Sequence, residues 1–596
     1  MCRIAGIINH RLALPEIANR VQQMCDAQQH GGPDDEGLWT DADANLVLGH
    51  RRLSLLDLSS AGHQPMIWKD RYVISFNGEI YNFAAIRNEL LQKGHQFSTQ
   101  TDTEVILAAY AQWGTQSFAR FDGMFAFALW DMLQQELLLV RDGSGIKPLY
   151  YCQSDEGIAF ASEIRALTHS PAGNEQHPHW PVYMLAYGHL PEPISTLKNV
   201  RALPKGFFLH YKKASGYCNL QNFCFYSFSD TVKSRAAASE ILAVLLRQSV
   251  KEQLVADAPI GVFLSGGIDS GILFLLAAEQ KKEGLNSLSL YFNEGSYSEK
   301  AYQDILLQKV NCRRNQYLLQ KEEFHQHFPR ILQDMDQPSC DGINTWFISR
   351  YAKAQGLKAV LSGVGADELL GGYPSFKRMQ PASLLQQSLP GLLLRSNAWK
   401  GRKLSRLSYL SIPGITGLYL FLRGQFAPGE IARQLNASEK EIWQILQASP
   451  VLADVSDMPG GNRTSWMELN LYMQNQLLRD ADVMSMAHGI EIRVPFLAHA
   501  FQRYCHQINP YTKFGGSMPK SLLIEAFKNE LPEPVWNRPK MGFSFPFTEW
   551  FRENEWVKNH FEQKGKPGAH NYRRFLRGEL HWSQVLSLML VEKRFG

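Results

Sequence analysis

Short apolar runs alternate with polar, glycine-punctuated turns along the second half of the chain, and the period of each run predicts its element. Ile260-Gly261-Val262-Phe263-Leu264 predicts a buried strand, Ser265-Gly266-Gly267 a small-residue turn, and the pattern from about Ser270 to Gln280 a helix. The same order recurs. Ser287-Leu288-Ser289-Leu290-Tyr291-Phe292 predicts a second buried strand and 297–310 a helix. Lys358-Ala359-Val360-Leu361 predicts a third strand, running into Ser362-Gly363-Val364-Gly365. A helix over 236–254 precedes the set. Glycines directly after buried strands that alternate with helices indicate a doubly wound parallel α/β sheet, whose ligands bind at the carboxyl ends of the strands.

The first two hundred residues are patterned differently. A strand begins at Met1-Cys2-Arg3-Ile4, Leu53-Ser54-Leu55-Leu56-Asp57-Leu58 is strand-like, and 121–130 and 137–142 predict paired strands. Helices are expected over 105–113 and 161–167, and the whole suits a two-sheet sandwich with helices outside. Residues 214–235 are mixed and polar, as in a linker. Residues 377–462 carry a Leu/Arg-rich helical pattern that predicts an inserted helical layer, with a lid over a partner or acceptor as the alternative.

Composition narrows the class. A chain of 596 residues exceeds one core and predicts two large domains. With 45% hydrophobic residues, 20% charged residues and a net charge of +4, it has the balance of a soluble globular protein without a nucleic-acid footprint. The eight cysteines form no CxxC pair, which argues against a disulfide framework and for a reducing cytoplasm. The most apolar stretch, Leu410 to Leu422, is broken by Pro413, Gly414 and Gly417 and falls short of the roughly 18 residues of a membrane span. No signal-peptide core follows the N-terminus.

Candidate chemistry sits at the strand ends. Ser-Gly-Gly before a helix offers unobstructed backbone N–H groups and a dipole end to an anion, and without a Lys it is not the GxxxxGK[ST] loop. If the initiator Met is removed, Cys2 carries a free α-amine with a pKa of about 7.7–8.0 beside a thiol of about 8.5, so one residue can be nucleophile and base. Gly49-His50-Arg51-Arg52 supplies cations, Asn77-Gly78 sets an amide beside an exposed N–H, and Asp102 lies near a helix start.

These motifs resemble known families. Ser265-Gly266-Gly267-Ile268-Asp269-Ser270 resembles the pyrophosphate loop of enzymes that split ATP into AMP and pyrophosphate. Cys2, Arg52, Asn77-Gly78-Glu79 and Asp102 resemble the N-terminal-nucleophile glutaminase domain of class II glutamine amidotransferases. Ser485 to Leu497, with Arg538-Pro539-Lys540-Met541-Gly542-Phe543, resembles the glutamine-dependent asparagine synthetases, and the resemblance covers nearly the whole chain in order. It implies an αββα glutaminase domain over 2–213, a linker over 214–235 and a synthetase domain over 236–596 with the 377–462 insertion.

Residue roles follow from the same resemblance. Cys2 attacks glutamine; Asn77 and Gly78 form the oxyanion hole; Arg52 pairs with the substrate carboxylate, with Leu53, Ser54, Leu55 and Leu56 beside it; and Asp102, with Glu79, takes the ammonium. Phe263, Leu264, Ser265, Gly266, Gly267, Asp269, Ser270, Leu290, Ser362 and Gly363 hold ATP. Asp269 and Asp367 are the Mg²⁺ ligands, as two carboxylates among phosphates require a cation between them. Lys520 offsets the pyrophosphate and transition-state charge. The implied substrates are glutamine, ATP and a carboxylate acceptor, aspartate in the family, and the implied assembly is a homodimer.

Two positions depart from the family. Gly31 stands where an Arg is usual, read here as a change in loop packing rather than a lost catalytic group. Val364 stands where the family has a Glu tied to forming the acyl-adenylate, so either Glu368 or Asp341 does that work or the acceptor is not aspartate. A sugar acid of a cell-surface polysaccharide or a natural-product precursor is the rival acceptor, and a non-catalytic binding relative the rival class.

Overall fold

The computed structural model describes residues 2–281, 284–388, 405–449, 453–542, 544–563 and 565–595. Residues 389–404 and 450–452 of the expected insertion lie outside the described residues, as do Met1 and Phe543 of the motifs above.

Two six-stranded antiparallel sheets form the N-terminal half. The first has the order β10 (Arg201–Ala202), β8 (Tyr150–Ser154), β9 (Gly157–Ala161), β1 (Arg3–Asn9), β3 (Leu46–Arg52), β2 (Asp35–Asp41). The second has the order β12 (Tyr217–Asn222), β11 (Phe207–Lys212), β7 (Glu136–Arg141), β6 (Gly123–Asp131), β5 (Tyr72–Ile80), β4 (Met66–Trp68). Period-two alternation decides which side chains fill which layer. Ile4 and Ile8 face Leu46, Leu48, Trp130 and Leu139 between the sheets, while Ala5 and Ile7 turn outward onto Ile17, Val21 and Met24 of the Leu14–Ala27 helix. On the other side the Asp102–Trp113 helix covers Phe76 and Phe127. The result is an αββα sandwich.

The C-terminal half is built on a five-stranded parallel sheet, ordered β15 (Arg313–Leu318), β14 (Asn286–Tyr291), β13 (Ile260–Phe263), β16 (Ala359–Leu361), β17 (Glu491–Arg493). The chain moves outward from β13 to β15, then returns to place β16 on the opposite side of β13. Strand order reverses there, and the crevice at such a switch point is where parallel sheets bind ligands. Both Gly-rich turns leave the sheet at this point. The described parts of 377–462 are mostly helical, including Gly414–Arg423, Pro428–Leu435 and Glu439–Gln447.

Several expectations are corrected. Leu53 to Leu58 is an irregular loop, because its carbonyls are held by the Arg52 side chain and by residue 257 rather than by a neighbouring strand. β12 lies inside the stretch read as a linker; its mostly exposed residues carry no apolar signal, and pairing with β11 alone makes it a strand. The helix expected over 161–167 is confined to Ile164–Leu167, because Ala161 ends β9. The Trp180–Tyr187 helix, on the N-terminal side of the expected boundary, is fully buried in the apolar core of the C-terminal half.

Charged groups line the seam between the halves. Asp336 accepts from the Ile164 and Arg165 N–H groups, both at 2.8 Å, and so caps the Ile164–Leu167 helix from across the seam. Lys358 reaches Asp34 at 2.6 Å and Arg493 reaches Glu79 at 3.4 Å. Asp336→Ala strands two helix-start N–H groups, while the Arg165 guanidinium keeps Glu163 at 2.9 Å and the Asp334 carbonyl at 2.6 Å. It is expected to cost about 1–3 kcal/mol of stability, read as a lower thermal unfolding midpoint; an unchanged midpoint would contradict this role for the contact.

Candidate active sites

The first site forms where β1 starts beside β5. Cys2 is nearly buried, and its backbone nitrogen donates to Asn77 Oδ1 at 3.1 Å. Gly78 has φ +150°, and a Cβ there would lie 2.1 Å from the Met124 carbonyl oxygen, so β6 can approach only a glycine. Burial pushes the Cys2 thiol above its ordinary value, while the Leu53 N–H and the Arg52 guanidinium act against the rise. The Arg52 fork donates to the carbonyls of Ser59 at 2.9 Å, Leu56 at 3.4 Å and Asp57 at 2.5 Å, shaping the loop beside Cys2.

Two carboxylates complete this region. Asp102 accepts from the Ile80 N–H at 2.9 Å, and burial raises it to about 6 despite that bond. Glu79 is pushed up by burial, with the Arg493 guanidinium opposing. Cys2, Asn77, Gly78, Arg52 and Leu53 are thus brought together, with Asp102 tied to the same strand. Ser54 and Leu55 are turned to the seam instead: the Ser54 N–H donates to Asp34 at 2.9 Å, and the Leu55 side chain enters the C-terminal core.

The second site occupies the switch point, a cleft of about 930 Å³. Phe263, Leu264, Ser265, Gly267, Asp269, Ser270, Leu290, Ser362 and Gly363 all line it, as do Asp367 and Lys520. Gly266 does not line it. At φ +88° it turns the loop, and its carbonyl accepts from Arg538 at 3.0 Å. Inside the loop, the Ser265 and Ser270 hydroxyls meet at 2.9 Å.

Lys520 lies between the two acids, 2.6 Å from Asp269 and 2.7 Å from Asp367. Lys540 reaches the other Asp367 oxygen at 2.7 Å. Burial would lower the Lys520 ammonium, but the two carboxylates hold it above its ordinary value. Burial would raise Asp367, but the two lysines hold it below the usual carboxylate range; at Asp269 burial wins and the shift is upward. Lys520 also has φ +56°, a conformation non-glycine residues seldom adopt and one that concentrates at functional sites.

Around Val364 the cleft is mixed. Glu368 is buried, accepts from Gly365 N–H at 3.1 Å and Tyr373 hydroxyl at 2.6 Å, and is raised to about 7 by burial and by Asp367. Asp341 lines the cleft and is raised by burial, with an N–H of Gly342 at 2.8 Å lowering it. Tyr187, Tyr419, Leu422 and Tyr472 give this arm an apolar wall. Lys540 and Arg538 carried no assigned role in the sequence, although both stand in the Arg538-Pro539-Lys540 motif. Arg538 joins the loop carbonyl to Glu299 at 2.6 Å.

Residues 1–223 match the family described as a glutamine amidotransferase domain, and residues 242–583 match the family described as asparagine synthase. A Bacillus subtilis (strain 168) protein named asparagine synthetase (glutamine-hydrolyzing) 1 is 30% identical, over 94% of this chain and 89% of its own. A second protein of that organism, numbered 2, is 30% identical over 91% of this chain and 72% of its own. The Gibberella zeae protein named amidase chry2 is 25% identical over 92% and 90%. With a cysteine site in the αββα half, a cleft lined by two glycine-rich turns at the switch point and these matches along its length, the chain belongs to the asparagine synthase family and carries a glutamine amidotransferase domain.

Proposed function

We propose that the chain is a glutamine-hydrolysing, ATP-dependent ligase that converts an acceptor carboxylate, with aspartate as the family's acceptor, into an amide. The observation that carries this reading is that each half assembles its own complete set: Cys2, Asn77 and Gly78 in one, Asp269, Asp367 and Lys520 in the other.

After loss of Met1, the α-amine of Cys2, held toward Asn77, takes the thiol proton. Sγ then attacks the glutamine carboxamide carbon. Asn77 and the Gly78 N–H receive the oxyanion, a contribution of about 10²–10³ in rate. The C–N bond breaks, ammonia leaves with the proton returned, and water hydrolyses the thioester to glutamate. Arg52 and Asp102 recognise the free amino acid by its carboxylate and ammonium.

At the cleft the acceptor carboxylate attacks the α-phosphorus of ATP, and pyrophosphate departs against Lys520 and Lys540. Ammonia adds to the acyl carbon of the adenylate, AMP leaves with the C–O electron pair, and a proton is released. Asp269 and Asp367 fit Mg²⁺ as hard oxygen donors, since that ion takes one or two carboxylates and fills its remaining positions with phosphate oxygens and water. Among the described residues no cluster of three or more His, Cys, Asp or Glu offers an all-protein metal site. Held by those aspartates, the ion would neutralise phosphate charge.

A second reading keeps the mechanism and changes the acceptor. Val364 replaces the family's acid, and the aromatic wall of Tyr187, Tyr419 and Tyr472 suits a larger carboxylate, such as a sugar acid or a natural-product precursor. Asp341 and Glu368 remain the acids able to act there. A purely binding role is disfavoured, because it gives no reason to retain both sets.

Acceptor-dependent pyrophosphate release tests the proposal. Wild type is expected to release AMP and pyrophosphate with glutamine or ammonium, and Cys2→Ala with ammonium alone. Continued use of glutamine by Cys2→Ala would refute the nucleophile, and no stimulation by aspartate while another carboxylate works would favour the second reading. A pH profile gives an independent check. Asp102 must be ionised to pair with the glutamine ammonium, so the KM for glutamine rises as pH falls below about 6, by about tenfold per unit for a single proton. A KM flat from pH 7 to 5 would contradict the assignment.

A further inference from the structure

Arg3 is fully buried immediately after Cys2. A guanidinium in that setting persists only with close, well-directed partners. Its Nε lies 2.7 Å from Glu163, and its Nη1 lies 3.0 Å from Asp482 of the C-terminal half. Glu163 also receives His30 at 3.0 Å and Arg165 at 2.9 Å, and Lys147 stands 3.6 Å from Asp482. Burial opposes the ionised form of Glu163, and its partners His30, Arg3 and Arg165 overcome it and hold the acid far below the usual range.

The same side chain explains Gly31. A Cβ at position 31 would lie 2.8 Å from both Cγ and Nε of Arg3. The volume into which a residue 31 side chain would grow is already filled by an arginine, rooted on β1 instead of on the loop. The departure at 31 and the identity of residue 3 are therefore one structural fact.

What the link joins matters more than its strength. Asp482 lies on the Arg479–Met486 helix, and its two preceding neighbours, Asp480 and Ala481, line the nucleotide cleft. At the other end Cys2 is the preceding neighbour of Arg3. Successive strand residues face opposite ways, so Cys2 points into its site while Arg3 points to the seam. Each partner of the ion pair is thus one residue from a reactive centre.

We propose that Arg3 is a positioning residue that has taken the place of a position-31 arginine and couples the Cys2 site to the nucleotide cleft through Asp482. A planar fork can hold Glu163 and Asp482 at once, whereas a lysine is a point charge that cannot span both. A shift of the Asp480–Asp482 segment on filling the cleft is delivered to the start of β1, and misplacing a reacting group by about 1 Å costs on the order of 10²-fold.

The proposal rests on the reading of Cys2 as a glutaminase nucleophile, and its test separates the two. Full-length wild type, Arg3→Ser, Arg3→Lys, Gly31→Arg and the double variant Arg3→Ser/Gly31→Arg are compared by melting temperature and by glutamine hydrolysis with and without Mg·ATP. Gly31→Arg is expected to lower the melting temperature in wild type and not in Arg3→Ser. Arg3→Ser is expected to lose on the order of 10²-fold in kcat with little change in KM, together with the response to Mg·ATP. Arg3→Lys keeps the buried charge and the fold but loses the response, and the double variant regains rate. An equal fall in melting temperature in both backgrounds would overturn the shared-space claim. An intact Mg·ATP response in Arg3→Ser or Arg3→Lys would overturn the coupling. A wild type that does not hydrolyse glutamine would refute the nucleophile and the coupling together, while the melting cycle would still decide whether positions 3 and 31 compete.

Discussion

Arg493 binds partners in both halves of the chain. Its guanidinium pairs with Glu491 at 2.6 Å and with Glu79 at 3.4 Å, and donates to the carbonyls of Gln253 at 2.8 Å and Val255 at 2.7 Å. Its own carbonyl accepts from the Ser362 N–H at 2.8 Å, at the root of the second Gly-rich turn. One residue therefore fixes the end of β17, the acid behind the cysteine site and the turn that borders the nucleotide cleft. Buried ion pairs contribute little net stability, because desolvation offsets their attraction. The apolar cores supply the stability, and we assign the charged seam the task of setting register between halves that have separate folds.

The cleft obeys a related constraint. Two aspartates converge at the carboxyl ends of β13 and β16, and Lys520 and Lys540 are the charges that make this arrangement tolerable in the free protein. Under the proposed function a triphosphate entering here would give the same lysines a larger negative charge to face, and would leave the carboxylates to a divalent ion. On that reading the lysines are set in place before the anion binds, the arrangement from which electrostatic stabilisation of a transition state is drawn.

Legibility in the sequence followed the range of the interactions. The strand–turn–helix at Ile260 to Gln280 was readable because its causes are local: an apolar run, glycines that permit the turn, and a helix start. The apolar runs of β1, β6 and β7 were readable for the same reason. Leu53 to Leu58 misled because apolar spacing says nothing about Arg52 seizing the loop carbonyls. β12 was hidden because a polar edge strand is defined only by its partner β11. The resemblance named individual candidate residues, but it gave no sign of the Lys540, Arg538 and Arg3–Asp482 contacts, since each joins residues far apart in sequence. Gly31 was read as a change in loop packing, and the side chain that fills the space beside it, Arg3, could not be named from the sequence.

The proposed function joins a glutamine-splitting site at Cys2 to an amide-forming site at the β13–β16 cleft, and it requires that ammonia pass from one to the other. Free ammonia at neutral pH is mostly ammonium and not nucleophilic, so an open handover would waste the first reaction. The most direct measurement supplies amide-¹⁵N glutamine together with an excess of unlabelled ammonium, with the carboxylate that best supports pyrophosphate release as acceptor. The account predicts a product amide enriched in ¹⁵N well above the solution ratio. A product whose label matches the mixed ammonia pool would contradict it.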